Sequence, residues 1–284
     1  MNADKDNFIY LDSIELSCMN YFKTNNNNYV IIGNKGIFHF DKSPFEYKGQ
    51  LDTYNKDKRY FHGGIKINDN YLALTSNSIL INGEDILVFY DIENEKIIET
   101  KNKVEYSFVT GANGLNLMEI GEDKKEILLC ACKKYKSSQK NGILIINPEI
   151  KEKEEIKFNF YDTEEFEVSC FCPINIKEKD NTFVKTDYFL VGGFEKNKKK
   201  GMIKLFKVIY DYKSNIMIKY LEDIFYDDNN NYPLFDGNIN CILQSKKNGK
   251  LFISCWNGKV YLFSEPNIQY YLEDTDKEIS QLFI

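Results

Sequence analysis

The sequence predicts an all-β fold that is built from repeated antiparallel sheets. The first reason is that one type of short apolar run recurs five times, at spacings of 49, 57, 59 and 57 residues. The second reason is that the apolar residues never keep a helical period over several turns. The five runs are GIFHFD at Gly36, DILVFYD at Asp85, GILIIN at Gly142, GMIKLFK at Gly201 and GKVYLFS at Gly258.

A second apolar run precedes each of these five, and a loop joins the two runs as a hairpin. Asn141-Gly142 and Asn257-Gly258 are predicted hairpin turns, because a type I′ turn needs two residues that tolerate positive φ. The partner runs are NYVIIG at Asn28, NYLALTS at Asn70, EILLCAC at Glu126, DYFLVGG at Asp187 and KLFISCW at Lys250. Ahead of them lie the opening strands ELSCMNYF at Glu15, GGIKIN at Gly63, GLNLMEI at Gly114, VSCFCPINI at Val168 and GNINCILQS at Gly237.

The apolar pattern separates inner from outer strands. Residues 143–146 are continuously apolar, as in a strand covered on both faces, whereas Ile156, Phe158 and Phe160 alternate with more polar residues. Small sheets that stack face to face around an axis produce this contrast. We therefore expect one β-propeller domain, residues 1–284, with about five four-stranded antiparallel blades, either a complete ring or part of a six- or seven-bladed one. The expected blades span residues 15–53, 60–104, 109–161, 166–224 and 235–273.

The fifth unit, FDGNINCILQSKKNGKLFISCWNGKVYLF, resembles a blade of the WD-repeat family. Asn257-Gly258 stands where that family usually has Asp-Gly, and Phe263-Ser264 stands where Trp-Asp is usual. Tyr90-Asp91 and Phe40-Asp41 are the nearest other matches to that dipeptide, and His62-Gly63 reverses the family's Gly-His. The resemblance implies a propeller that serves as a scaffold and binds a protein partner with its strand-connecting loops.

Composition and charge narrow the classes of function. The 284 residues include 20 Tyr and 21 Phe but only 5 Pro, which indicates a globular chain. The net charge of -6 argues against a general nucleic-acid binder, which carries a basic face. The seven cysteines do not suggest a disulfide framework, and the start MNADKDN lacks the form of a signal peptide. No apolar run approaches the roughly 18 residues of a membrane span. We therefore expect a cytoplasmic or nuclear protein that is not secreted.

Nine residues are candidates for binding a partner. Trp256 lies beside a predicted turn; Trp is enriched at interface hot spots, and the alternative is that this side chain covers the end of the blade. Arg59, the only arginine, precedes the second opening strand in a loop expected to reach the rim, and Phe61 is expected in the core. Lysines gather in the corresponding loops of units three and four, where they could form one patch for phosphate or acidic protein. The candidates are Arg59, Tyr60, His62, Lys133, Tyr135, Lys198, Lys199, Tyr232 and Trp256.

Sites for chemistry are only weakly indicated. The pairs Cys130/Cys132 and Cys170/Cys172 each place two sulfurs on one face of a strand, but structural zinc sites usually space their cysteines on turns. The two histidines lie in different units, and no catalytic motif occurs. We predict no enzyme activity, no cofactor and no metal. The leading hypothesis is a non-catalytic protein-interaction scaffold. The alternatives are a binder of anionic lipid or phosphate surfaces through the lysine-rich loops, and a five-bladed glycosidase that uses paired carboxylates.

Overall fold

The structure is a computed structural model. It consists mainly of β-strands, and the residues that it describes contain no α-helix. These are residues 18–23, 29–33, 36–40, 47–50, 59–78, 85–109, 112–121, 124–134, 140–177, 183–210, 215–224, 235–245 and 247–263. The chain forms two compact units, which are described separately. Unit 1 comprises Met1–Ala112 and Glu149–Ile156, and unit 2 comprises Asn113–Pro148 and Lys157–Ile284.

Unit 1 contains two antiparallel sheets. The first has the strand order β1 (Cys18–Lys23), β2 (Tyr29–Gly33), β3 (Gly36–Phe40) and β4 (Tyr47–Gln50). The second has the order β5 (Arg59–Lys66), β6 (Tyr71–Ser78), β7 (Asp85–Asp91) and β8 (Lys96–Ile97), and β9 (Val104–Glu105) also pairs with β7. Side chains from both sheets meet in one buried cluster, which consists of Val30, Ile37, Phe61, Leu72, Leu74 and Tyr90.

The candidates Arg59, Tyr60 and His62 lie in β5 and not in the loop that the sequence predicted. Arg59 pairs with Ser78 of β6, so the strand begins four residues earlier than expected. A register shift just after Phe61 gives β5 an extra residue, and such a bulge allows a strand to continue where a regular ladder would stop. Phe61 is buried, as expected.

The second segment of unit 1, Glu149–Ile156, is joined to the first segment by backbone and side-chain hydrogen bonds. The N–H of Lys153 donates to the carbonyl of Glu99 at 2.7 Å. Asn102 bonds twice to the backbone of Ile156: its Nδ2 donates to the carbonyl at 3.0 Å, and its Oδ1 accepts from the N–H at 2.7 Å. Ile156 is buried. Its assignment to an outer strand is therefore wrong, because that strand begins at Phe158.

Unit 2 contains three antiparallel sheets. The first has β10 (Leu115–Ile120), β11 (Lys125–Cys132), β12 (Asn141–Ile146) and β13 (Phe158–Glu164). The second has β14 (Phe166–Lys177), β15 (Phe183–Glu195), β16 (Lys200–Tyr210) and β17 (Ile216–Ile224). The third has β18 (Ile239–Gln244), β19 (Leu251–Cys255) and β20 (Val260–Phe263).

The predicted order of strands is confirmed. Each of the five units has its opening, partner and third strand in one antiparallel sheet, and four-stranded sheets occur in both halves of the chain. The contrast between inner and outer strands is also confirmed, because every residue of β12 is buried while β13 is partly exposed. The number of blades in a ring stays a prediction.

Asn141-Gly142 is wrong as a hairpin turn, because both residues belong to β12. The buried Asn141 side chain accepts the N–H of Lys134 through Oδ1 at 2.8 Å and donates from Nδ2 to the carbonyl of Glu164 at 2.8 Å. A Cβ on Gly142 would lie 2.3 Å from the ring of Phe160. Asn141 therefore satisfies buried backbone groups, and Gly142 allows the ring of Phe160 to lie close to the backbone, whereas the sequence suggested a turn.

The middle sheet of unit 2, β14–β17, is covered on both faces. On one side, β14 and β15 contact β18, and on the other, β14 contacts β11 and β12. Phe206 of β16 stacks on Phe189 at 5.6 Å between ring centroids and meets Tyr161 of β13 edge-on at 5.5 Å. The three sheets thus form a stack in which the central strands of the middle sheet are covered on both sides, while Met217 and Tyr220 of its outer strand β17 stay partly exposed.

Candidate interaction surface

One face of the last sheet is apolar and exposed. Leu243 of β18 pairs with Phe252 of β19, and Phe252 pairs with Leu262 of β20, so these three side chains form a row across the sheet. Val260 lies two residues before Leu262 and therefore points to the same face. The exposed fractions are 61%, 45%, 55% and 68% for Leu243, Phe252, Leu262 and Val260. The opposite face of the sheet is buried against β14–β17.

Trp256 extends this row of apolar side chains beyond the end of β19. Its N–H donates to the carbonyl of Asn238 at 2.9 Å, which continues the ladder between β18 and β19 by one step. Because side chains alternate along a strand, Trp256 shares a face with Phe252, and it is 67% exposed. The alternative that Trp256 is buried over the end of its blade is therefore wrong. We call the following five residues the apolar face: Leu243, Phe252, Trp256, Val260 and Leu262.

The turn beside Trp256 is tightly held. The N–H of Cys255 donates to the carbonyl of Lys259 at 2.9 Å, and the N–H of Gly258 donates to the carbonyl of Cys255 at 3.0 Å. Asn257 Oδ1 accepts the N–H of Lys259 at 3.1 Å. Gly258 has φ +82°, a conformation that glycine adopts without steric cost. The predicted Asn257-Gly258 hairpin turn is confirmed as a turn but not as type I′, because only Gly258 of the pair has a positive φ, and the turn fixes the backbone at Trp256.

A charged rim, formed by Lys200, Asp236 and Lys259, adjoins this turn. Asp236 accepts from Lys259 Nζ at 2.6 Å and from Lys200 Nζ at 2.9 Å. These two charge-assisted hydrogen bonds, the one from Lys259 first, lower the pKa of Asp236 to about 2. The aspartate therefore stays ionised at neutral pH and bridges the β15–β16 turn to the β19–β20 turn.

The structure brings few of the predicted site residues together. Trp256 lies in the apolar face, and Lys198 and Lys199 are exposed in the β15–β16 turn of the same unit. Lys133 is exposed after β11. Arg59, Tyr60 and His62 belong to β5 of unit 1. Tyr135 and Tyr232 lie outside the described residues.

The two lysine-rich loops are partly neutralised by carboxylates. Three of their lysines form ion pairs, namely Lys140 with Asp162 at 2.5 Å, Lys196 with Glu167 at 2.8 Å and Lys200 with Asp236 at 2.9 Å. The hydrogen bond from Lys140 lowers the pKa of Asp162. Lys136 lies outside the described residues. These loops thus carry less uncompensated positive charge than their sequence suggests.

The described cysteines behave as core residues. Six of them are free, and all but Cys241 are buried. Burial raises the pKa of the thiols of Cys130, Cys170 and Cys172, in the last case to about 12. The described residues contain no group of three or more His, Cys, Asp or Glu side chains that could hold a metal ion. The thiols therefore contribute to packing rather than to chemistry.

Comparisons with known proteins give similar structures but no family. No family model and no curated protein matches the chain. One similar structure is PorZ, an essential bacterial surface component of the type-IX secretion system of Porphyromonas gingivalis, at 12% identity and a TM-score of 0.39. Another is the extracellular domain of a putative one-component system from B. thetaiotaomicron, at 12% identity and a TM-score of 0.26. Each match covers 87% of this chain, which spans only 38% of that neighbour's length.

The expectation of a cytoplasmic or nuclear location is contradicted and withdrawn. The finding set against it is that the similar structures are described as a bacterial surface component and as an extracellular domain. Separately, no helix among the described residues has the length and hydropathy needed to cross a membrane.

Sequence reasoning missed four of the five residues of the apolar face. Leu243, Phe252, Val260 and Leu262 lie in strands that were predicted correctly, but their local sequence is as apolar as that of covered strands. The signal that brings them together is the pairing of β18, β19 and β20, which only the structure shows.

Proposed function

We propose that this protein is a non-catalytic, WD-like β-propeller of the kind that forms part of a ring and leaves one face of β18–β20 uncovered, and that it acts as a protein-interaction scaffold that binds its partner through the apolar face. The observation that carries the proposal is that five large apolar side chains are exposed together on one face of a well-packed sheet. They account for five of the eight large apolar side chains that are exposed among the described residues. Concentrated apolar patches of this kind mark interaction sites in soluble proteins.

The arrangement of unit 2 supports the propeller part of the proposal. The opening strands of its three sheets lie together, since β14 contacts both β10 and β18. Asn113, just before β10, donates from Nδ2 to the carbonyl of Asn240 in β18 at 3.1 Å. Sheets whose first strands converge while their last strands reach solvent fan out from a common axis, as blades do.

The apolar face is large enough to contribute substantially to binding. Side chains of this size carry on the order of 170 Å² each on average, so at these exposures roughly 500 Å² of apolar surface remains in water. Covering it yields about 12 kcal/mol at ~25 cal/mol per Å². This gain is comparable to the estimated cost of association, about 4–15 kcal/mol, so the face by itself offsets that cost, and the net affinity comes from the apolar surface that the partner adds.

The same region favours apolar contact over electrostatic binding to anionic surfaces. Lys200 and Lys259, beside the turn that follows Trp256, share Asp236, and Lys196 is paired with Glu167. Such pairs weaken the field that would attract a phosphate or an anionic lipid. The anionic-surface and glycosidase hypotheses stay predictions that no contact among the described residues favours.

An affinity pull-down from source cells, followed by mass spectrometry, tests the proposal. The wild type is compared with Phe252→Glu and Trp256→Ala in the apolar face. Met217→Glu is the matched control, because Met217 is 44% exposed, almost as Phe252 is, but lies in β17 outside this face. We expect both face variants to lose the same partners, the cell's own copy of this chain counted among them, while the control keeps them. Equal recovery by all four proteins, each with a wild-type circular-dichroism spectrum, would contradict the proposal.

A further inference from the structure

We infer that the occupant of the apolar face is the same face of a second copy of this chain, so that the protein is a two-fold symmetric dimer. The inference deepens the proposed function and rests on it, because it names the partner that covers the surface.

The chemistry of the face is complementary to itself. Leu243, Phe252 and Leu262 form the central row, in which a phenylalanine is flanked by a leucine on each side. This row reads the same in both directions. A two-fold axis through it therefore places Phe252 against Phe252, with leucines facing leucines whichever way the axis runs. Isologous interfaces need this self-complementarity.

The centre of such an interface carries no charge. The five residues of the apolar face are uncharged, and so is Ser254, which alternation places on the same face between Phe252 and Trp256. Lys250, two residues before Phe252, lies at the edge of this face, and the charges of the charged rim are paired through Asp236. Because a rim of paired charges can stay in water while the centre is dry, the face has the layout of a homodimer interface.

The stack in unit 2 provides the geometry for this contact. The opposite face of β18–β20 already packs against another sheet, through Ile242, Leu251 and Ile253. Sheets pack face to face at about 10 Å with interdigitating side chains. The sheet β14–β17 covers one face of β18–β20 and leaves the other face open. A second copy would pack on that open face and add one further sheet to the stack.

The area is consistent with a dimer. Roughly 500 Å² of apolar surface per copy, with the flanking polar residues added, approaches the ~800 Å² per partner that a stable interface of standard size buries. Apolar contacts of this kind are insensitive to screening by simple salts, whereas a contact made by lysines weakens as ionic strength rises.

Sedimentation equilibrium of the purified full chain tests the inference. We expect the wild type to change from monomer to dimer with rising concentration, at a dissociation constant that is nearly the same in 0.1 M and 0.5 M NaCl. Phe252→Glu places two facing carboxylates in a dry interface, so we expect it to weaken association by at least about 100-fold. Leu262→Glu should act in the same way, and Met217→Glu should leave the constant unchanged.

Three outcomes would overturn the inference: a wild-type chain that stays monomeric at all concentrations, one that forms open-ended aggregates, or a dimer that Phe252→Glu does not affect. Circular dichroism of each variant shows whether it is folded, and Leu262→Glu serves as the second test if Phe252→Glu is not. The pull-down distinguishes this inference from the proposed function. If the wild type is monomeric but Phe252→Glu still loses a cellular partner, the second copy is wrong as the occupant and the interaction surface stands.

Discussion

The neighbouring sheets β14–β17 and β18–β20 are built from similar sequences but differ in how many of their faces are covered. In β15, the consecutive residues Phe189, Leu190 and Val191 are all buried. In β19, the buried residues Leu251 and Ile253 enclose Phe252, which is 45% exposed. The segments YFLVG and LFISC are almost equally apolar. The difference therefore comes from the presence of a sheet on the far side and not from local composition.

The comparison has a functional consequence. A strand that is apolar on both faces is stable in water only when both faces are covered, so a single uncovered face of this composition identifies a surface that is built for contact. In β14–β17 the two neighbouring sheets provide that cover. In β18–β20, the sheet β14–β17 covers one face, and we place the partner on the other face.

The largest expected difference between the two sheets is the cost of truncating a phenylalanine. Phe189→Ala removes a fully buried ring and should lower the free energy of unfolding by about 3–5 kcal/mol. Phe252→Ala should cost less than about 1.5 kcal/mol in dilute solution, because half of this side chain is already in water. Urea unfolding followed by far-UV circular dichroism measures both values. Equal costs would show that the two faces are equally covered.

Two glycines provide the next comparison. A Cβ at Gly193, in β15, would lie 2.1 Å from the carbonyl oxygen of Glu167 in the adjacent strand, so Gly193→Ala should cost about 1–3 kcal/mol. A Cβ at Gly258, in the β19–β20 turn, meets nothing within 4 Å. Gly258→Ala should cost about 1 kcal/mol, and only through its φ of +82°. The same unfolding experiment ranks the two, and a larger loss at Gly258 would contradict the tight packing of β14–β15.

Lysines in the two sheets should also differ. Lys204 Nζ lies 3.3 Å from Glu195, 3.6 Å from Asp223 and 4.7 Å above the ring of Phe166, and its side chain is only 18% exposed. Lys204→Met leaves two largely buried carboxylates without this partner and should cost about 2–3 kcal/mol. The exposed Lys259 should be replaceable by Met without a measurable loss of stability. If Lys259→Met is the more damaging of the two, the charged rim stabilises the fold and is not merely a surface network.

The sequence predicted the strands well because their signal is local. Apolar runs that end at turn residues locate a strand wherever it is packed, and the opening, partner and third strands all occur near the predicted positions. The errors have local causes too. Asn141-Gly142 has the composition of a turn, but the buried side chain of Asn141 finds its partners only across the sheet. Ile156 continues an alternating pattern, yet it is held by Asn102, 54 residues earlier.

The candidate site was much less predictable from the sequence, since it depends on whether another sheet covers the outer face of β18–β20. Trp256 could be singled out by its residue type, but whether it is buried depends on the packing of three sheets. Leu243 and Leu262 are ordinary strand residues, and only the pairing of β18, β19 and β20 brings them into one row with Phe252. The free positive charge of the lysine-rich loops was overestimated, because the carboxylates that pair with these lysines are far away in the sequence. Asp236, for example, follows Lys200 by 36 residues.

The smallest expected effect concerns the titration of Asp236 in the charged rim. Its folded-state pKa of about 2 lies below the ordinary value of 3.8, so the rim favours the folded state above pH 3.8 and loses this effect as the pH falls through about 2, and solvent screening keeps the effect on stability small at this exposed site. Carboxyl NMR should show this low pKa, and Lys259→Met should raise it because that variant removes the first of its two lysine partners. Lys247→Met, an exposed control in the β18–β19 turn, should leave it unchanged. An unshifted Asp236 would mean that the two turns are not bridged in solution, and the rim would then offer free charges beside the apolar face where paired ones are inferred.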